Sequence, residues 1–350
     1  MAALKIRGVA LPDGNSVELY ADGDMWTTDP IANAELVGEG WILPGLVDVH
    51  THPGAIAPGD ALDPQILRHD LHRHVESGVA LIRSPGLAAD PPSWFGIDAD
   101  VPRAVHAGRW IAQPGQFFDG WARSAELDDL PGVAQQQAIR SGWVKIIADW
   151  TLDDEPIPRD VLRAIVEAVH AVGGRVAVHS QHAEGGATAV AAGVDSIEHG
   201  MHLSTDLVAR MAEQGTALTP TLAVFVASLD EVRRNAPKHR AEWFVEGTVA
   251  HPDLIIAAAE AGVTLLAGTD SHPTGTIADE IQALARTGIA PHIALGAGSW
   301  TARSYLGFLG LEDGGPADAV VYRGDPRLDL RELKDPQAIV LRGKLMYRAN

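Results

Sequence analysis

Eight short apolar segments, most of them followed by a stretch with helical periodicity, occupy the middle of this chain. The segments are GLVDVH, VALIRS, RWIAQP, WVKIIAD, RVAVHS, VDSIEHG, TALTPTL and VTLLAGTD. Alternation of strand and helix predicts a parallel sheet, because parallel strands are joined by helical crossovers. Eight such units over about 250 residues predict an α/β fold of the closed (β/α)8 TIM-barrel type. A doubly wound open sheet is the alternative.

Both ends of the chain depart from this pattern. ALKIRGVAL, the turn PDGN and SVELYADGDM near the start, and ADAVVYRGDP and PQAIVLRGKLMY near the end, are typical of strands joined by turns. We expect the two ends to pair into one small β-sandwich domain beside the barrel. The predicted bounds are 1–43 with 308–350 for the β domain, and 44–307 for the barrel.

Composition restricts the partners and the metal chemistry. With 27 basic and 46 acidic residues the formal net charge is −19, which argues against nucleic acid or an anionic membrane surface as a partner. There is no cysteine, so any metal must be held by nitrogen and oxygen ligands. The opening residues MAALKIRGVALPDG show no secretory signal, and no apolar run approaches the roughly 20 residues of a membrane span. We therefore expect a cytoplasmic protein.

Polar residues lie at the carboxyl ends of several of these apolar segments. His50 and His52 are two residues apart in a strand, so their side chains share a face. Taken singly, each such residue has an ordinary explanation, such as a hydrogen-bonded histidine pair, a lysine reaching solvent, or a helix N-cap. Together they fall on strands one, four, five, six and eight, at the face where barrel enzymes carry their active sites. Two imidazoles on one face could bind one cation, and the whole set of polar residues at these positions is His50, His52, Lys145, His179, His199 and Asp270.

This ordered set resembles that of the amidohydrolase superfamily of metal-dependent hydrolases. GWILPGLVDVHTH is similar to the superfamily's entry into the barrel, and TARSYLGFLGLEDGGPADAVVYRGDP to its return to the small β domain. GVALIRSPG, VKIIAD, AAGVDSIEHG, TPTL and GTDS resemble the branch of imidazolonepropionase-like enzymes and Xaa-Pro dipeptidases. The resemblance covers essentially the whole chain, and it is more specific for fold and superfamily than for substrate.

The resemblance implies two divalent cations, with Zn²⁺ expected and Mn²⁺ or Co²⁺ as alternatives. His50 and His52 would bind the more buried ion. His179 and His199 would bind the more exposed one.

The two remaining members of the set would complete this centre. Asp270 would be a further ligand of the buried ion, and Lys145, carboxylated by CO₂, would bridge both ions. The implied reaction is attack by a metal-bridging hydroxide on an amide-type C–N bond, with Asp270 as the proton shuttle. The substrate, a small molecule, would be a dipeptide, an N-acyl amino acid or a cyclic amide.

Further residues have candidate supporting roles. Asp48, two residues before His50, is placed to accept the ring N–H of a metal-bound histidine. Arg83 ends strand two and would bind a substrate carboxylate or form a structural ion pair. Three histidines beyond strands five, six and eight would either line the pocket or cap loops: His182, His202 and His272.

Outside this set, the residues favour structural roles. The histidines of RHDLHRH are expected on a solvated helix face. Trp121 and Trp150 are expected in ordinary core packing, with the wall of an apolar substrate pocket as the alternative.

Other functions remain as alternatives. A lactonase or esterase would use the same site. A deaminase of the superfamily lacks the strand-four lysine and carries a glutamate three residues after the strand-five histidine, whereas this chain has Lys145 and His182 there. A non-catalytic scaffold should have lost a ligand, and no predicted ligand position is empty. The resemblance is also compatible with a homo-oligomer.

Overall fold

A computed structural model describes residues 3–349 and shows an α/β fold. The strands are β1 (Leu4–Ala10), β2 (Asn15–Asp22), β3 (Met25–Thr27), β4 (Glu35–Pro44), β5 (Leu46–Asp48), β6 (Val79–Ser84), β7 (Arg103–His106), β8 (Ile111–Ala112), β9 (Arg123–Ser124), β10 (Trp143–Ile147), β11 (Arg175–Ser180), β12 (Ser196–His199), β13 (Ala217–Thr219), β14 (Ala319–Tyr322), β15 (Ala338–Leu341) and β16 (Lys344–Arg348).

The α-helices lie between and after the parallel strands. They are α1 (Pro64–Glu76), α2 (Leu130–Ser141), α3 (Arg159–His170), α4 (Ala183–Ala192), α5 (Val208–Gln214), α6 (Leu222–Asn235), α7 (Lys238–Glu260), α8 (Ile277–Arg286), α9 (Pro291–Ala297) and α10 (Trp300–Tyr305). No helix within residues 3–349 has the length and apolarity needed to cross a membrane.

The start of helix α1, which follows His50 and His52 in the sequence, is determined by local residues. The Asp63 side chain accepts hydrogen bonds from the backbone N–H groups of Gln65 and Ile66, at 2.7 and 3.2 Å. Pro64 occupies the first turn, where its missing N–H costs nothing. Apolar residues four apart then face the core: Leu67, Leu71 and Val75. The helix thereby begins at a fixed point beyond the HxH segment.

The two ends of the chain form one seven-stranded sheet. Its order is β16-β15-β14-β4-β1-β2-β3. Strand β4 pairs parallel with β1 on one side and antiparallel with β14 on the other, which joins the first residues of the chain to the last. The sequence predicted this pairing of the ends. A sandwich requires a second sheet packed on the first, and it stays a prediction, as do the domain bounds.

The strands that carry the candidate site are parallel and form two further sheets. One has the order β13-β12-β11-β10-β8-β9 and the other β5-β6-β7. The segment 264–270 connects them: Leu218 N–H donates to the carbonyl of Thr264 at 2.9 Å, and Val49 N–H donates to that of Ala267 at 3.0 Å. Asp270 N–H in turn donates to the carbonyl of His50 at 2.7 Å. These bonds bring residue 270 beside residue 50.

Four predictions about local structure need correction. The predicted eighth strand, VTLLAGTD, is not among the strands of residues 3–349, because it forms only one isolated parallel bridge, between Leu265 and Leu218. Strand β7 was missed, because RAVH lacks an apolar run and all four residues are only half-buried. The predicted third strand, RWIAQP, is a strand only at Ile111–Ala112. The histidines of RHDLHRH do not all face solvent, because His74 is buried and its Nε2 hydrogen-bonds with Thr51 Oγ1 at 3.1 Å.

Candidate metal centre

All six predicted ligand residues line a single cavity of about 350 Å³. They come from β10, β11 and β12, from the residues just after β5, and from the end of segment 264–270: His50, His52, Lys145, His179, His199 and Asp270. The fold therefore brings together side chains that are up to 220 positions apart in the sequence (50 to 270). Of the further candidates, His272 also lines the cavity.

Hydrogen bonds at Nδ1 fix the orientation of three of the histidine rings. His50 Nδ1 donates to Glu198 Oε2 at 2.6 Å, and His52 Nδ1 donates to the carbonyl of Gly86 at 2.7 Å. The His199 Nδ1 hydrogen-bonds with Thr221 Oγ1 at 2.8 Å. Because carboxylate and carbonyl oxygens can only accept, the protons of the His50 and His52 rings reside on Nδ1. Their Nε2 atoms are left as electron-pair donors, the form that binds metals.

The Nε2 atoms of His50 and His52 lie 3.1 Å apart. Two acceptor nitrogens at this distance favour a shared cation, either a metal ion or the proton of a hydrogen bond between the rings. Imidazole nitrogens on one tetrahedral zinc ion, with Zn–N bonds of about 2.0–2.1 Å, lie about 3.3 Å apart. Asp270 Oδ1 lies 3.3 Å from His52 Nε2 and 3.7 Å from His50 Nε2. These three side chains form a cluster that fits a metal ion.

The second half of the cavity is lined by His179 and His199. Their ring centroids are 4.6 Å apart, and the His199 ring is 4.9 Å from that of His50. Burial, followed by the nearby charge of Lys145, lowers the pKa of His179 well below its usual range, so the ring is neutral. His179 Nε2 is buried and has no hydrogen-bond partner among residues 3–349. An unsatisfied buried nitrogen costs about 1–3 kcal/mol, and a cation would satisfy it.

Lys145 presents a similar unsatisfied atom. The side chain is 1% exposed, and Nζ lacks a hydrogen-bond partner in the described part of the chain. Burial lowers the pKa of Lys145 to about 8, although Glu198 and Asp270 oppose that shift. An amine with this pKa is partly neutral near pH 7.5, and the neutral amine is the form that reacts with CO₂. The residue therefore fits a carboxylated lysine that supplies two oxygen ligands.

Asp270 lines the cavity beside His50 and His52 and is partly exposed to it. Burial alone would raise the pKa of Asp270, but His50, His52 and Lys145 together lower it below its usual value. The side chain is 28% exposed and its backbone φ is 45°, an uncommon conformation that is often found at functional sites. An ionised, accessible carboxylate at this position can accept a proton.

Glu198 is a component of the site that the sequence analysis missed. It is fully buried and accepts two hydrogen bonds from Arg83 Nη2, at 2.7 and 2.8 Å, in addition to that from His50. Arg83 also donates Nε–H to the carbonyl of Val49 at 2.7 Å. The guanidinium therefore belongs to a structural ion pair, not to the cavity wall, so the prediction of a substrate carboxylate contact by Arg83 is not supported. A charged residue inside the apolar strand SIEH was the available signal.

Asp48 supports the site differently from the prediction. Its carboxylate accepts hydrogen bonds from the backbone N–H groups of His50 and Thr269, both at 3.1 Å, and from Thr269 Oγ1 at 2.6 Å. Burial raises the pKa of Asp48 to about 7. Asp48 thus joins the two backbone segments that carry His50 and Asp270. The ring N–H of His50 goes to Glu198, because the Asp48 oxygens are directed to the backbone.

The three more distant histidine candidates separate into two groups. His272 lines the cavity, with Nε2 3.4 Å from Asp70 Oδ1. His182 and His202 pack against Trp243, with ring centroids 5.2 and 4.7 Å away. Neither of these two belongs to the cavity lining, so their predicted substrate contacts are not supported by their positions.

Replacing Glu198 with glutamine should destabilise the fold and weaken metal binding together. The variant leaves the Arg83 charge buried without its partner, and breaking a buried pair in this way costs about 3–5 kcal/mol. Urea unfolding and metal analysis measure the two effects. The exposed Glu260→Gln, at the end of α7, is the control and should match the wild type. Wild-type stability in Glu198→Gln would show that the ion pair contributes little.

The fold and this site define a class of protein: an α/β protein with imidazole and carboxylate groups gathered beyond the carboxyl ends of parallel strands. The sequence profile of the amidohydrolase family matches residues 41–346. The chain belongs to the amidohydrolase family, and it is a hydrolase that acts on carbon–nitrogen bonds.

The chain is also similar to curated sequences and to solved structures. An uncharacterised protein of Mycobacterium tuberculosis strain H37Rv is 39% identical over 362 aligned positions, covering 97% of this chain and 95% of that protein. The ochratoxinase of Aspergillus niger is 28% identical over 250 positions, covering 66% of this chain and 50% of the relative. The crystal structure of a Xaa-Pro dipeptidase with bound methionine superposes with a TM-score of 0.84 at 21% identity, covering 99% of this chain and 100% of that one.

Proposed function

We propose that this protein is a binuclear metal-dependent hydrolase that cleaves an amide-type C–N bond in a small molecule. The observation that carries the proposal is the pair of Nε2 atoms 3.1 Å apart, each on a ring whose other nitrogen is already bonded. A nitrogen pair of this kind suits a metal ion. Amide hydrolysis follows from membership of the family and from relatives whose names describe peptidase and amidohydrolase activities.

The second metal position rests on different atoms. His179 Nε2 and Lys145 Nζ line the cavity and have no hydrogen-bond partner among the described residues. A second cation held by His179 and His199, together with a carbamate on Lys145 between the two ions, would satisfy both atoms. Zn²⁺ is the expected metal because the ligands are imidazole nitrogens and carboxylate oxygens, and Mn²⁺ or Co²⁺ are alternatives.

The reaction divides its tasks between the metals and the chain. Two cations bound by these residues would lower the pKa of coordinated water and polarise a carbonyl oxygen. Asp270 accepts the proton released as water attacks the carbonyl carbon, and its carboxyl group then donates that proton to the leaving nitrogen. Glu198 and the carbonyl of Gly86 hold the His50 and His52 rings with their Nε2 atoms towards the cavity throughout.

We also infer that the parallel strands close into a (β/α)8 barrel spanning 44–307, with 1–43 and 308–350 forming the small β domain. The bonds from segment 264–270 to Leu218 and Val49 support the closure on one side. The shared seven-stranded sheet supports the grouping of the two chain ends.

Metal content should be close to two ions per chain after reconstitution with Zn²⁺. His179→Ala removes a ligand from the second position only, so we expect about one ion to remain. His170→Ala is the matched control, because His170 is an exposed residue of α3 that pairs with Asp195 at 2.8 Å, outside the cavity. Elemental analysis of dialysed protein gives the stoichiometry. A single tightly bound ion in the wild type would contradict the binuclear centre and favour a deaminase-like arrangement.

The reaction class is tested by a hydrolysis screen with the metal-loaded enzyme. The screen contains dipeptides, N-acyl amino acids, cyclic amides and lactones. We expect turnover of amides that is lost on treatment with a chelator and restored by the metal. Turnover confined to lactones would replace the amide proposal with the esterase alternative, because the same groups can attack either carbonyl.

A further inference from the structure

Five aromatic side chains form one wall of the cavity beside the candidate metal ligands. This aromatic wall consists of Trp110, Phe117, Phe118, Trp121 and Trp150. From the sequence, core packing is expected for two of these residues, Trp121 and Trp150. In the structure all five line the cavity.

The wall is held in place by specific contacts. The Trp110 and Trp121 rings stack with centroids 4.9 Å apart and an interplanar angle of 4°. Trp121 Nε1 donates to the carbonyl of Asp60 at 2.7 Å. Phe117 lies 5.1 Å from Trp110 and 4.8 Å from Trp150. The backbone φ of Phe117 is 71°, which is rare for an aromatic residue. The backbone is therefore strained at the position that holds this ring in the wall.

The wall also reaches the metal ligands directly. The Trp110 ring centroid is 4.9 Å from that of His52, and Trp150 is 5.5 Å from His179. A side-chain carbon at Gly86 would collide with the Trp110 indole, while the Gly86 carbonyl holds His52 Nδ1 at 2.7 Å. Gly86 therefore sets the distance between the aromatic wall and His52. A substrate group that packs on the wall would then lie next to the candidate metal ligands, where the scissile bond is expected.

Within residues 3–349, the side chains that line the cavity include no free lysine or arginine for a substrate carboxylate. Among the described residues that line it, Lys145 is the one lysine and there is no arginine. Arg109 donates to the carbonyls of Gly120 and Trp121. Arg240, which with Trp150 lines a neighbouring cavity, pairs with Asp153 at 2.9 Å. An anionic group held against the aromatic wall, away from the candidate metal ligands, would lose its hydration without gaining a lysine or arginine partner.

We infer that the substrate is a neutral amide with an aromatic group next to the scissile bond and without a free carboxylate. This inference rests on the proposed function and narrows it. It predicts that neutral aromatic amides are better substrates than dipeptides and N-acyl amino acids. Aromatic rings gain from offset and edge-to-face contacts with other rings beyond the burial of their area. The volume of about 350 Å³ suits a small molecule and not an extended peptide.

Matched compounds test the two parts of the inference. Phenylacetyl-pyrrolidine and phenylacetyl-proline differ only by a carboxylate, and we expect the neutral amide to have a kcat/KM about tenfold higher or more.

Two unreactive ketones, benzyl cyclopentyl ketone and cyclohexylmethyl cyclopentyl ketone, differ only in the aromaticity of one ring. Calorimetry on the metal-loaded enzyme should show about fivefold tighter binding of the benzyl ketone.

Two variants connect the preference to the wall. Phe117→Leu should reduce the preference for the benzyl ketone to near one, because it removes a ring that faces both Trp110 and Trp150. Phe95→Leu, at a buried phenylalanine outside the cavity lining, should keep it. Preference for the proline compound, or absent or equal binding of the two ketones, would overturn the inference. Discrimination between the ketones without hydrolysis of any amide would support the aromatic preference of the wall and contradict the proposed function.

Discussion

Asp270→Asn is expected to reduce kcat/KM by about 10³-fold while much of the bound metal remains. The amide keeps one oxygen near His52, where Asp270 Oδ1 lies 3.3 Å from Nε2, but it cannot accept a proton at neutral pH. Positioned proton transfer contributes about 10²–10⁴-fold to an enzymatic rate. Steady-state kinetics with the best substrate of the screen, together with metal analysis of the same sample, measure both quantities.

A surface substitution of the same chemical type serves as its control. Asp160 is exposed in the first turn of α3, so Asp160→Asn should keep wild-type kinetics. If Asp270→Asn hydrolyses the substrate at the wild-type rate, Asp270 is not the proton shuttle. If it loses activity only in proportion to lost metal, the residue serves as a ligand alone.

Lys145→Ala should remove most of the activity, by about 10³-fold or more, together with at least one metal ion per chain. The loss follows because no other described residue is placed in the cavity with an unsatisfied nitrogen that could carry a bridging carboxylate. The folded state should tolerate the change, since burying an ammonium without a partner is itself unfavourable. Thermal unfolding of the metal-free proteins separates this effect from the loss of metal.

The carbamate itself can be observed. Wild-type protein reconstituted with metal and ¹³C-labelled bicarbonate should show a carbamate carbon resonance that is absent from Lys145→Ala. Lys238→Ala, at an exposed lysine of α7, should retain the resonance and the full metal content. Full metal content and activity in Lys145→Ala would remove the lysine from the site.

The sequence was sufficient for the six ligand candidates that line the cavity, because each one lies within a strand or directly after an extended segment. In an extended segment the side-chain direction alternates with period two, so the HTH ending of the first segment already places His50 and His52 on one face. Lys145, His179 and His199 likewise lie within strands at the positions predicted. Local periodicity together with the order of the strands thus located these residues without any knowledge of long-range contacts.

The supporting residues could not be found in this way. Glu198 binds His50, 148 positions away, and Arg83, 115 positions away. A local sequence pattern does not predict which buried polar residues will form hydrogen bonds with each other. For the same reason Asp48 was assigned to the His50 ring, although its carboxylate bonds to the backbone of Thr269, 221 positions later. Strand β7 was missed because its half-buried residues show no apolar run.

By itself, therefore, the sequence determined the order of the strands and which polar residues end them, since both depend on short-range backbone geometry. Only the tertiary structure decided what those residues touch. The neutral state of His50, the ion pair of Arg83 and the aromatic wall arise from packing between segments that are distant along the chain. Burial and partner choice are properties of that packing, because the desolvation of each group depends on every neighbour the fold brings to it.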